Sequence, residues 1–393
     1  MKIYFDNIAT TKIHPEVYKF MLPCLGENYG NPESLHFFGD ESKSTIESSR
    51  SNIAQLINSK PEEIIFTSSG TEANNLAVKG VAEACLSIGK HLITSSIEHF
   101  SVHHPFKRLE KLGYEVTYLP VDRCGLVNPD DVRKSLRKDT ILVSVMHANN
   151  EIGSIQPIEE ISRVVKENSK AYFHTDAVQS VGYLDVDINK MGVDLLSISA
   201  HKFYGPKGVG ALYVRKGTRM LPLIEGGVQE NGRRAGTHNV PGIAGMGKAV
   251  EILKEKREEW ATHLISLRDA LVKGITNLVE KVHFTGHPQK RLPGHVSLCV
   301  EFIEGESMLM LLSAKGIAAA SGSTCTSKAL RASHVLTALA LPAEIIQGSL
   351  VLSLSPDNHS SEIEYFLKVF PEIVSRLRNM SPLYTKYLKE KGV

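Results

Sequence analysis

Residues 197 to 209 read Ser197-Ile198-Ser199-Ala200-His201-Lys202-Phe203-Tyr204-Gly205-Pro206-Lys207-Gly208-Val209. The run leading into them, Val193–Ile198, is mostly apolar and suits a buried strand, and Val209–Val214 reads as another. Between the two, Gly205, Pro206 and Gly208 force a tight turn. Lys202 therefore stands at a strand end with rigid backbone behind it. A lysine held there can form a Schiff base with a carbonyl compound, provided its surroundings lower its pKa. The ordinary alternative is a solvated loop lysine, since lysine is mostly exposed. The rest of the chain decides between them.

Outward from this stretch, strand-like and helix-like runs alternate from about residue 46 to 255. Glu63–Thr67, His91–Ser95, Glu115–Leu119, Thr140–Met146, Tyr172–Asp176 and Leu195–Ser199 predict strands, and helical patterns such as Ser154–Asn168 fill most gaps. Such alternation implies an α/β fold with a mainly parallel sheet, which binds its ligands at the carboxyl ends of the strands. A long amphipathic helical region follows at 245–282. Short strands at Gly294–Glu301, Gly316–Ala320 and Leu350–Leu354, with helices at Glu306–Lys315 and Glu362–Arg378, predict a smaller α+β domain. The expected division is a large domain at 15–255 and a small one from 1–14 and 256–393. A chain of 393 residues is too long for one simple core.

Composition narrows the function. With 22% charged and 42% hydrophobic residues and a net charge of +2, the chain has no long basic run that would favour nucleic acid or a membrane surface. The start, MKIYFDNIATT, matches neither a signal nor a transit peptide, and no apolar run approaches about 18 residues. Five cysteines, at 24, 85, 124, 299 and 325, form no CxxC pair, which argues against a disulfide framework or a zinc site and for a reducing cytoplasm.

Several strand ends carry polar groups. Ser68-Ser69-Gly70-Thr71-Glu72 follows a strand and opens a helix, with Ser69 and Glu72 at capping-box spacing. Gly70 and Thr71 there would present N–H groups to a phosphate, although a plain helix cap explains the same residues. His99 follows another strand, as a structural hydrogen-bonding residue or a proton carrier near neutral pH. Asn149-Asn150-Glu151-Ile152-Gly153 suits a turn, or a site that bonds a ligand hydroxyl. Asp176, in His174-Thr175-Asp176-Ala177-Val178-Gln179, would be costly to bury without a cation. A protonated pyridine nitrogen is one such cation; a salt bridge or helix cap is the alternative. Arg233-Arg234-Ala235-Gly236-Thr237-His238-Asn239 reads as a surface loop or a phosphate contact. Ser321-Gly322-Ser323-Thr324-Cys325-Thr326-Ser327 surrounds one cysteine with small residues, as expected of a mobile nucleophilic thiol on an exposed loop; a passive, inert thiol is the alternative.

Together these segments resemble the NifS/IscS-type cysteine desulfurases of the class V pyridoxal-phosphate aminotransferases, from Tyr4-Phe5-Asp6 to Ser381-Pro382-Leu383-Tyr384. The shared motifs include GNPESLH at 30–36, FTSSGTEANN at 66–75, NNEIG at 149–153, SAHKFYGPKGVG at 199–210, RRAGTHN at 233–239 and SGSTC at 321–325. The resemblance implies the type I fold of pyridoxal 5'-phosphate enzymes. It implies that Lys202 binds the cofactor covalently, Asp176 pairs with the pyridine nitrogen and His99 stacks on the ring. Gln179 and Asn150 would bond the ring hydroxyl and the substrate side, and Gly70, Thr71, Ser199 and His201 would hold the phosphate. Thr237 would reach the phosphate of a neighbouring subunit, which implies a homodimer. Cys325 would take sulfur from L-cysteine as a persulfide, leaving alanine, for an Fe–S scaffold or another sulfur acceptor.

Two positions depart from the family pattern. The usual Asp-Asn-Asn-Ala-Thr-Thr is Asp6-Asn7-Ile8-Ala9-Thr10-Thr11 here, and the arginine that clamps the substrate carboxylate in similar proteins is Val351. That second change keeps two alternatives in view: a related lyase or transaminase for another amino compound, and a weakly active, cofactor-loaded partner protein. The chain also runs only to Val393, whereas housekeeping members extend further, into a region that contacts the Fe–S scaffold.

Overall fold

The computed structural model describes residues 2–322 and 333–391. At the N-terminus, β1 (Ile3–Tyr4) precedes helices α1 (Pro15–Leu25) and α2 (Phe37–Leu56). Strands and helices then alternate: β2 (Ile64–Thr67), α3 (Gly70–Ala84), β3 (His91–Ser95), α4 (Phe100–Lys111), β4 (Glu115–Leu119), α5 (Pro129–Ser135), β5 (Thr140–Ser144), α6 (Ile158–Asn168), β6 (Tyr172–Asp176), α7 (Ile188–Met191), β7 (Leu195–Ser199) and β8 (Gly210–Val214). The strands form one sheet in the order β2-β8-β7-β6-β5-β3-β4. Only β8 runs against the others, antiparallel to both β2 and β7. Strands β2, β3, β5, β7 and β8 are buried at every position, because helices cover both faces. The edge strand β4 alone begins exposed, at Glu115.

Helix α8 (Val240–Leu278) is 39 residues long, or about 58 Å at 1.5 Å per residue. Its first half, from Val240 to Leu253, is buried in the core beneath the sheet with α1 and α2. Its second half buries Leu264, Leu267, Leu271 and Ile275 in another core. That core lies against β9 (Val282–Phe284), β10 (His295–Val300) and β12 (Ser349–Ser353), an antiparallel sheet in the order β12-β10-β9. Strand β11 (Ile317–Ala318) pairs with β1, bringing the N-terminus to this end of the chain. Helices α9 (Gly305–Ala314), α10 (His334–Ala338), α11 (Ala343–Ile346), α12 (Ser360–Asn379) and α13 (Pro382–Lys391) complete it. No helix among the described residues is long and apolar enough to cross a membrane.

The helix expected over Ser154–Asn168 starts four residues later, at Ile158. Ser154 and Ile155 instead bridge to Arg291 and Ala148. Pro157, at the N-cap, disfavours helical backbone in the residue before it. The strand expected over Thr140–Met146 ends at Ser144, and the residues after it turn into the site described next.

Candidate active site

The carboxyl ends of β2, β3, β5, β6 and β7 converge on a cavity of about 300 Å³. Its lining includes Gly70, Thr71, His99, Asn150, Asp176 and Gln179, together with Ser199, His201 and Lys202. Nine residues proposed from sequence thus come from five separate strand ends to one place. Two larger clefts, of about 690 and 740 Å³, lie elsewhere and share none of these residues.

Asp176 closes β6 and is 5% exposed. Its carboxylate accepts from Asn74 Nδ2 at 2.6 Å and from the Val178 N–H at 2.9 Å. Burial pushes its pKa up, opposed by His99, these two hydrogen bonds and Lys202. No described cation lies within ion-pair distance of it. Asn74 also donates to Ser101 Oγ at 2.8 Å, and that hydroxyl lies 2.8 Å from His99 Nδ1. Asn74 Oδ1 is buried without a described partner.

His99 caps α4: its Nδ1 accepts the Ser101 N–H at 3.1 Å. A backbone amide can only donate, so Nδ1 carries no proton and the neutral ring bears its hydrogen on Nε2. Burial, first of all, lowers the pKa of this ring and favours the neutral form. The adjacent Glu98 is 1% exposed and accepts from Ser95 Oγ at 2.6 Å and the Met146 N–H at 2.9 Å. Burial pushes its carboxyl up to about 8, with Asp176 adding to the shift.

Lys202 ends a single 3₁₀ turn, Ala200–Lys202, directly after β7. Its Nζ donates to the carbonyls of Ile8 and Ala9, the latter at 2.8 Å. The residue that departs from the family start thus holds the lysine through its main chain, where side-chain identity matters least. Gln179 Nε2 donates to the same Ile8 carbonyl at 3.3 Å. His201 Nδ1 lies 3.1 Å from Thr10 Oγ1, and burial foremost lowers its pKa to about 4.

Gly70 opens α3 behind the N-cap Ser69, whose hydroxyl accepts the Glu72 N–H at 3.2 Å. The reciprocal bond expected of a capping box goes elsewhere: Glu72 accepts from the Ser68 N–H and pairs with Arg234 at 2.8 Å. Arg234, read from sequence as a possible phosphate ligand, is engaged in that pair. A Cβ on Gly70 would stand 2.6 Å from Val178 Cγ2, so only glycine leaves this helix N-terminus open. Open N–H groups at a helix start favour an anion.

Thr237 is exposed and lines a different, smaller depression with Ser68, Glu230 and His238. Cys325 lies outside the described residues.

Val351 is central in β12, bonded through its main chain to Ala320 on one side and paired with Ser297 on the other. Leu350, Leu352 and Leu354 bury into the core of this end of the chain. Strand alternation turns Val351 and Ser353 to the opposite face. There Ser353 Oγ accepts the Ile8 N–H at 2.7 Å, and His295, opposite Ser353, bonds the Asn150 carbonyl at 3.0 Å. Both contacts reach residues that line the cavity. Among the described residues, no arginine lines it.

Sequence pattern assigns no role to Asn74, Ser101 or the carbonyls of Ile8 and Ala9. Main-chain ligands have no sequence signature. Asn74 stands four residues after Gly70 on the buried side of α3, a spacing that would have found it.

Comparison with known proteins agrees with this fold. The family model Aminotransferase class-V matches residues 3–366. A cysteine desulfurase IscS of Methanosarcina thermophila is 53% identical, the match covering 98% of this chain and 95% of that one. A cysteine desulfurase IscS of Dictyoglomus turgidum is 51% identical, covering 97% and 96%. A solved NifS-like protein superposes with a TM-score of 0.91 at 42% identity, covering 96% of this chain and all of that one. A structure described as SspA in complex with cysteine has a TM-score of 0.80 at 36% identity, covering 91% and 99%.

Proposed function

The chain belongs to the class-V aminotransferases and, among them, is a cysteine desulfurase, and from that premise we propose that Lys202 carries pyridoxal 5'-phosphate and that Cys325 takes sulfur from L-cysteine. The observation that carries the reading is Asp176, a buried carboxylate that makes no ion pair among the described residues, in the cavity that Lys202 also lines. A buried carboxylate without an ion pair is costly even when hydrogen-bonded, and a protonated pyridine nitrogen would offset that cost. The open N-terminus of α3, with Gly70, Thr71, Ser199 and His201 around it, suits the phosphate. Bound there, the cofactor supplies an electron sink for chemistry at the carbons of an amino acid.

The chain's own groups then have separate tasks. The Ile8 and Ala9 carbonyls orient the Lys202 amine. Asn74 and the Val178 amide hold the Asp176 carboxylate in place, and Ser101 ties Asn74 to His99. His99 offers a ring face and holds a proton on Nε2. Asn150 and Gln179 are the amide donors for the ring hydroxyl and the substrate. Thr237 completes the phosphate site of a second copy. Exposed Tyr18, Phe20, Leu22, Leu25, Leu35 and Phe37 on and between α1 and α2 support such an interface. The described cysteines are unpaired thiols, in keeping with a reducing cytoplasm. The product is a persulfide for Fe–S cluster assembly or thiolation.

The test is alanine release from L-cysteine, with the absorption spectrum of the purified protein beside it. The protein is expected to show the visible band of a lysine-bound cofactor and to release alanine. Lys202→Ala is expected to abolish both; a Lys202→Ala spectrum identical to wild type refutes the assignment.

A further inference from the structure

Backbone strain marks the stretch 229–239. Glu230 and Asn231 sit in the left-handed region, at φ 49° and 56°, followed by Gly232 at 75° and Gly236 at 103°. Glycine takes that region freely, whereas a residue with a Cβ is held there only by its surroundings. The Glu230 carboxylate supplies the hold. Its side chain is 1% exposed. Oε2 accepts from Arg50 Nη1 at 2.7 Å and from the Phe66 N–H at 2.9 Å. Oε1 accepts from Arg50 Nη2 at 2.9 Å and from His238 Nε2 at 2.6 Å. Two donors on each oxygen fill the lone pairs of an ionised carboxylate. Arg50 Nη1 also donates to the Ile64 carbonyl at 2.7 Å, so the stretch is pinned to α2 and β2.

The chain is tied down on both sides of Thr237. Arg234 Nε donates to Glu72 Oε1 at 2.8 Å, in the first turn of α3, and the Gly236 N–H donates to Gln229 Oε1 at 3.1 Å. Asn239 caps α8 by accepting the Gly242 N–H at 3.1 Å. Thr237 itself is exposed and is not among the residues that line its own chain's Lys202 cavity. Its neighbour His238 bonds Glu230, so the carboxylate fixes the backbone on which Thr237 stands.

We propose that Glu230 is a positioning residue for the cofactor of a neighbouring copy, its buried carboxylate locking 229–239 into the left-handed path that presents Thr237 outward. The inference rests on the reading that Thr237 completes the phosphate site of a second copy. Glutamine at 230 offers one oxygen and one NH2 group. Whichever way that amide turns, two donors satisfied by the carboxylate meet a third, and Arg50 loses its buried counter-charge. The loop is then released, and the site that weakens is the other chain's.

The experiment reads that crossing directly. Wild type and Glu230→Gln, carrying different affinity tags, are co-expressed, and the mixed dimer is purified through both tags as cofactor-loaded protein. It is dialysed against cofactor-free buffer over a time course. Borohydride then fixes the remaining cofactor to Lys202, and mass spectrometry weighs the two chains separately. The wild-type chain depends on the variant loop, and the Glu230→Gln chain on the wild-type loop. The wild-type chain is therefore expected to lose cofactor at least about tenfold faster than its partner. Faster loss from the Glu230→Gln chain, or equal rates from both, overturns the inference, because a role confined to its own fold would weaken its own site. Should Glu230→Gln fail to fold, His238→Ala, which leaves the Arg50 pair in place, is expected to give the same one-sided loss, by at least about threefold. Thr237→Ala in the same mixed dimer separates the failures. If it strips the wild-type chain and the Glu230 and His238 variants do not, the role of Glu230 falls alone. If it does not, or if wild type forms no dimer, the reading of Thr237 falls and the inference with it.

Discussion

Installing an arginine at position 351 is expected to raise kcat/KM for L-cysteine by at least about tenfold, a gain of about 1.4 kcal/mol. Val351 is 2% exposed and shares its strand face with Ser353, whose hydroxyl bonds Ile8 at the cavity wall. Its neighbours on that face of the sheet, Ser297, His295 and Ser353, are polar, so a guanidinium entering there meets hydrogen-bond acceptors. Two effects oppose each other. Overpacking a strand centre costs about 1–3 kcal/mol, but folding bears that cost, and it is the same with and without substrate. Pairing the substrate carboxylate contributes about 2–5 kcal/mol, and only in the complex. Catalytic efficiency therefore reports the second term, less the desolvation of the new guanidinium. Stability reports the first. Because the pairing is shared by ground and transition states, the gain should lie mainly in KM. The assay is alanine release across a range of L-cysteine concentrations, with Val351→Met as a size control that brings no charge. Cysteamine, which lacks the carboxylate, should show no gain with the arginine variant. A Val351→Arg protein that is folded and cofactor-loaded yet less efficient than wild type refutes the reasoning. The carboxylate would then belong to another group, with Asn150 the first to replace.

Two further outcomes can be checked directly. Mass spectrometry after L-cysteine treatment is expected to find the added sulfur on Cys325; sulfur on Cys24, Cys85, Cys124 or Cys299 instead would count against the carrier assignment. At Glu230, burial alone would raise the carboxyl pKa, but Arg50 at 2.7 Å and His238 at 2.6 Å hold it down to about 2. A carboxyl whose folded pKa is depressed adds stability above its ordinary value of 4.5 that is lost as pH falls through about 2. Glu230→Ala should cost about 3–5 kcal/mol at neutral pH by stranding the buried Arg50, and should flatten the acid limb of urea midpoint against pH. An unchanged acid limb would exclude this group as its source.

The class of fold and most of the cavity wall were legible in the residue pattern. Alternating apolar runs can bury both faces only in a helix-covered, mainly parallel sheet, and such sheets gather polar residues at strand ends. Hence Gly70, His99, Asn150, Asp176 and Lys202 could be nominated one by one. How they are held follows from packing. Asn74, Ser101 and the Ile8 and Ala9 carbonyls are brought in by strand order and by a chain start that returns beside β12, and main-chain ligands leave no mark in side-chain pattern. The same holds for Val351, whose face is set by its register with β10. It holds too for Glu230, which stands far from Arg50 in the chain. A pattern of residues specifies what can be buried; which groups then lie within hydrogen-bond reach is fixed by packing, where contacts distant in sequence outnumber local ones.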